Sequence, residues 1–126
     1  MTTEPADGAE ALRTALRLGL TTAMKSRDRD ALAALRTAIA AIDNAEAVPA
    51  PDAAPAATSA HIAGARSGLG AAEAARRELS ASELQDILRG QISEHTSEAD
   101  RYDALGQADS AARLRRQADS LAPYLP

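Results

Sequence analysis

The chain holds few side chains that could do chemistry. His95 falls near the centre of an apolar helical stripe, one helical step from Gln91, Ile92 and Ala99. An imidazole there can serve as a base or a metal ligand, yet nothing around it supplies a partner for either task. His61 lies in a Pro- and Gly-rich stretch, and no His or Glu stands at metal-ligand spacing from it. Ser97 and Ser110 sit among charged neighbours on or beside helical segments; a triad nucleophile needs a rigid turn to aim it. The run 64–70 (GARSGLG) has the glycines of a phosphate loop, but neither the Gly-Lys-Ser/Thr ending nor a preceding strand. With no cysteine, disulfide scaffolds, thiolate zinc sites and Cys nucleophiles are excluded. The residues therefore predict no catalytic group, no metal site and no cofactor.

Arginine is the remaining functional vocabulary. Lys25, Arg27 and Arg29 crowd one short segment, Arg113, Arg115 and Arg116 cluster near the C-terminus, and Arg101 stands one turn before Leu105. Each could touch a phosphate or an acidic partner. Asp28, Asp30 and Asp119 are interleaved with them, and a mixed charged face is often simply solvated. A net charge of −4 argues against nucleic-acid binding driven by overall charge, and leaves a local basic patch open. Nothing points to DNA. No leader-like segment and no apolar run of membrane-spanning length is present, so a soluble, cytoplasmic protein is expected.

The elements that must position these residues are helical. The 126 residues are one domain's worth. About a quarter are alanine, with no Phe, no Trp and two Tyr. That composition suits helices and starves a β-sheet core. Residues 1–8 read as a flexible tail. A first helix, about 9–25, carries Leu12, Leu16, Leu20 and Ala23 on one face, while Leu18 points away and Gly19 weakens its middle. After a tight polar break in which Asp28 or Asp30 can cap, a second helix, about 28–47, carries Leu32, Leu35, Ile39 and Ile42 with Ala31 and Ala38. The stretch 48–79, with Pro49, Pro51 and Pro55 and then several glycines, reads as a long linker that ends in a short helical turn. Ser80 and Glu83 form a capping box opening a third helix, about 81–105, with Leu84, Leu88, Ile92, Ala99, Tyr102 and Leu105 in its stripe. Gly106 caps its end. Asp109 is placed to cap a fourth helix, about 109–122, with Ala111, Leu114, Ala118 and Leu121 facing inward. The expected fold is all-α: four main helices as two antiparallel hairpins joined by a long Pro/Gly-rich connection, with helices meeting through alanine and modest stability.

Two stretches in order resemble the YqeY-like (GatB/YqeY) family. Leu20 to Val48 is similar to its opening "AMK-x-(K/R)-D", followed by a helix with "LR" and a late "I-x-N-x-E". In the second, Arg77, Glu78, Leu79 and Ser80 carry an Arg-Glu-Leu-Ser start. Tyr102, Gly106 and Asp109 match an aromatic-x₃-Gly-x₂-Asp turn, and Leu121 to Pro126 matches "L-x-x-Y-L-P". Ser59 to Gly70 looks like a loop insertion of actinobacterial members. The resemblance implies a small helical protein similar to the tail domain of the B subunit of the glutamine-dependent Asp-tRNA/Glu-tRNA amidotransferase, where the tail helps hold tRNA. It also implies the label of a carbon–nitrogen ligase with glutamine as amido donor. Members usually continue past "YLP" into a smaller helical subdomain, whereas this chain stops at Pro126, and their third helix is richer in Lys and Arg where this one has Glu94, His95, Thr96 and Ser97.

The leading expectation is a non-catalytic module that binds tRNA or a protein partner through Lys25, Arg27, Arg29, Arg101, Arg113, Arg115 and Arg116. The alternative is a protein-interaction module with no RNA role. An enzyme would instead require a pocket at His95 with a carboxylate in hydrogen-bond reach.

Overall fold

The computed structural model describes residues 4–47 and 78–126. Among them are four α-helices, no strand, and a final 3₁₀ turn: α1 (Glu4–Ser26), α2 (Arg29–Ala47), α3 (Ala81–Ala104), α4 (Ala108–Leu121) and the turn Ala122–Tyr124. No helix among the described residues is long and apolar enough to cross a membrane. The all-α expectation holds, and the last three helices start and stop within a residue of the boundaries expected. The stretch 48–77, with His61, the glycine run, the prolines and most of the expected helical turn at 71–79, lies outside the described residues. Glu78 and Leu79 are non-helical, and Leu79 is buried.

The start of α1 differs from expectation. Residues 4–8, expected as a tail, already belong to the helix. Pro5 is tolerated in a first turn, because its fixed φ suits a helix and the N–H it lacks would have no intrahelical acceptor there. Gly8 then lies against the opening of α3: a Cβ built on it would meet the Ala81 Cβ at 3.2 Å.

Both hairpins close through the same backbone device. At the end of α1, the Arg27 N–H donates to the Met24 carbonyl (3.3 Å) and the Asp28 N–H to the Ala23 carbonyl (2.9 Å). At the end of α3, the Gly106 N–H donates to the Asp103 carbonyl (3.0 Å) and the Gln107 N–H to the Tyr102 carbonyl (2.8 Å). Each pair of bonds is a Schellman motif, which needs a left-handed residue just past the helix. Gly106 (φ 78) fills that place in one turn and Arg27 (φ 59) in the other. The next residue starts the following helix at once: the Leu32 N–H donates to the Asp28 carbonyl (2.9 Å) and the Ala111 N–H to the Gln107 carbonyl (3.1 Å).

Asp28 is the cap of α2, its Oδ1 accepting from the Ala31 N–H at 3.1 Å. Asp109 does not cap α4. The Schellman turn makes Gln107 the capping residue, without a side-chain bond, and leaves Asp109 inside the first turn. There its charge still complements the helix dipole. At α3 the capping box is complete: the Ser80 N–H donates to Glu83 Oε1 (2.9 Å) and the Glu83 N–H to Ser80 Oγ (3.1 Å).

The helices of Met1–Ile42 and Ser80–Pro126 form one compact unit. Leu16, Leu84, Leu88 and Leu121 are its large fully buried side chains, and much of the remaining core is alanine: Ala9, Ala23, Ala34, Ala38, Ala99, Ala111 and Ala118. Each buried leucine stabilises by about 1.5–3 kcal/mol relative to exposure, whereas an alanine contributes mainly by letting backbones approach. Leu105, expected in the α3 stripe, is 68% exposed. It is the helix's last cap residue, where the chain already turns toward Gly106, so the 3.6-residue period no longer fixes its direction. Leu18 faces away from the core, at 63% exposure, as its phase requires.

Candidate partner-binding surface

The fold sorts the expected contact residues into two groups. Arg115, Arg116 and Arg101 are engaged with carboxylates. Arg115 bridges α4 to α3, with Nη2 at 2.9 Å from Asp100 and Nη1 at 2.8 Å from Asp103. Those hydrogen bonds, Asp103 first and Asp100 second, hold its proton more tightly than usual. The Arg116 Nε donates to Asp30 Oδ2 at 2.7 Å, tying α4 to the first turn of α2. Arg101 meets Glu98 at 3.3 Å within α3.

Lys25, Arg27, Arg29 and Arg113 are exposed, and none makes an ion pair among the described residues. The first three are gathered by the tight α1–α2 turn. The Arg116–Asp30 bond brings α4 to that turn, and Arg113 stands one helical step from Arg116, where side chains three apart are neighbours. Arg113 also borders an open groove with Glu98, Tyr102, Ser110 and Leu114. Sequence reasoning missed Arg36, which is exposed and unpaired among the described residues. Its signal was available: it follows Arg29 by seven residues, two helical turns along the same face.

The carboxylates near the turn are occupied. Asp28 accepts the capping bond of α2 and Asp30 receives Arg116. The turn therefore presents Lys25, Arg27 and Arg29 beside the capping carboxylate of Asp28, while Asp30 and Arg116 are paired with each other. It can attract and hold an anion through charge-assisted hydrogen bonds. Its one hydroxyl, Ser26 Oγ, donates to the Ala23 carbonyl at 3.4 Å.

His95 is half-buried on α3, and its Nε2 is shielded from solvent without a hydrogen-bond partner. Desolvation lowers its pKa below the ordinary 6.5, partly opposed by the neighbouring Glu94 carboxylate. No carboxylate hydrogen-bonds to it among the described residues, and those residues contain no cluster of His, Cys, Asp or Glu able to hold a metal ion. Ser97 is exposed on α3, and Ser110 lies in the first turn of α4. No protein-family model matches the chain, and no curated protein or solved structure matches it significantly.

Proposed function

We propose that this chain is a non-catalytic, YqeY-like helical module related to the glutamine-dependent tRNA amidotransferases, and that it acts by binding tRNA. The reading combines the motif order Leu20–Val48 and Arg76–Pro126 with one structural observation. Lys25, Arg27, Arg29 and Arg113 stand exposed and unpaired among the described residues, while Arg101, Arg115 and Arg116 are spent on internal carboxylates. Phosphate contacts are made by such free cations and fix where a nucleic acid lies. In this reading the carbon–nitrogen ligase chemistry carried by the family label belongs to partner domains, and this chain supplies a docking shape.

A second reading, a protein-interaction module without RNA, has its own support. Leu18, Met24 and Leu105 expose 63%, 54% and 68% of their surface. Leu18 and Met24 are six residues apart on α1, about 120° around the helix, and an interface of standard affinity is built around a contiguous apolar centre. Capture of the tagged chain from native lysate, with and without ribonuclease, separates the two. Co-purifying small RNA that disappears on ribonuclease treatment supports RNA binding. A ribonuclease-resistant protein complex with no RNA overturns it in favour of the second reading.

A further inference from the structure

The two hairpin turns share one geometry and differ in one residue. At the left-handed position that closes each Schellman motif, α3 uses Gly106 and α1 uses Arg27. That conformation is disfavoured for side chains with a Cβ, and glycine or asparagine is the usual occupant. Arg27 is exposed and makes no ion pair among the described residues, so neither the turn nor the packing accounts for an arginine there. A non-glycine residue held in a sparsely populated conformation points to a role for its side chain.

We propose that the α1–α2 turn is a phosphate-binding corner, at which Arg27, flanked by Lys25 and Arg29, grips the backbone of the RNA; the inference rests on the RNA reading above. Asp30 is matched by Arg116, and the single exposed carboxylate of Asp28, which caps α2, leaves Lys25, Arg27 and Arg29 with an excess of positive charge at the corner. Arg113 stands one helical step from that Arg116 along α4. The guanidinium is a planar fork that matches a phosphate with two parallel hydrogen bonds, which a lysine cannot do. Residues 25–30 (KSRDRD) contain no apolar side chain. Beside its cations the corner exposes one large apolar side chain, Met24, which is less than the contiguous apolar centre that holds a protein partner.

The test is an Arg27→Gly variant of the full chain, beside an Arg89→Ala control whose arginine pairs with Asp86 on α3. Unfractionated tRNA is the probe, at low ionic strength and across a salt series, with thermal melting of each protein. Glycine relieves the left-handed position, so Arg27→Gly should melt at or above the wild-type temperature. It should bind tRNA about three- to tenfold more weakly, with a salt slope shallower by about one. Arg89→Ala should bind as wild type. Wild-type affinity in Arg27→Gly, equal weakening by both variants, or a lowered melting temperature in Arg27→Gly each overturns the corner. A wild-type chain that fails to bind tRNA overturns the RNA reading itself, and the corner with it.

Discussion

Gly19, in the middle of α1, lies directly beneath the Tyr124 ring: a Cβ built on it would overlap the phenol oxygen and stand 3.0 Å from Cζ. The same position faces Leu35 Cδ1 of α2 at 3.4 Å. A glycine that costs the helix about 1 kcal/mol relative to alanine thus lets the C-terminal turn and α2 meet on the backbone of α1.

Gly19→Ala should therefore destabilise, by about 1–2 kcal/mol, because overpacking outweighs the gain in helix propensity. In a Tyr124→Ala background the same change should become stabilising. A double-mutant cycle of chemical denaturation reads this coupling, and a Gly19→Ala effect of one sign in both backgrounds would contradict it.

Gly90 provides the contrast. It is exposed inside α3 and nothing lies within 4 Å of the Cβ position. Gly90→Ala should raise stability by about 0.5–1 kcal/mol, seen as a higher denaturation midpoint with an unchanged slope.

The two turns predict a stabilising cap. Asp28 caps α2 with its side chain, and Gln107, its counterpart, makes no such bond to α4. Gln107→Asp should supply it and add about 0.5–1 kcal/mol. An unchanged melting temperature would mean that the two turns differ in more than this residue.

His95 ties stability to pH. Its folded-state pKa is lowered, chiefly by desolvation of the ring. The unfolded chain then takes up the proton first as pH falls below about 6.5, so the stability His95 supports is full above that value and is lost toward its lower folded pKa. Melting temperature should fall between pH 7.5 and 5.5 in the wild type and fall less in His95→Gln. Parallel pH profiles would contradict this account.

How much of this was legible follows the range of each interaction. The Ser80–Glu83 box and the Gly106 cap depend on residues three or four apart, so their pattern is visible in the chain. Leu105 was misplaced because periodicity continues on paper past the point where Gly106 turns the backbone. The tail expected over residues 1–8 is helical from Glu4 because a proline in a first turn starts a helix rather than breaking it. Asp109 looked like a cap because the reuse of Gln107 by two helices has no sequence signature. Asp100, one partner of Arg115, and Asp30, the partner of Arg116, lie 15 and 86 residues away. Which arginines remain free is a tertiary fact, as is the tyrosine that explains Gly19.

The central claim is that free cations at the α1–α2 corner bind tRNA. The most direct measurement is the tRNA affinity of the intact chain as a function of salt. With Lys25, Arg27, Arg29 and Arg113 in contact, the logarithmic slope should be about −3 to −4. A complex whose affinity does not change with salt, or no complex at low ionic strength, would contradict the claim.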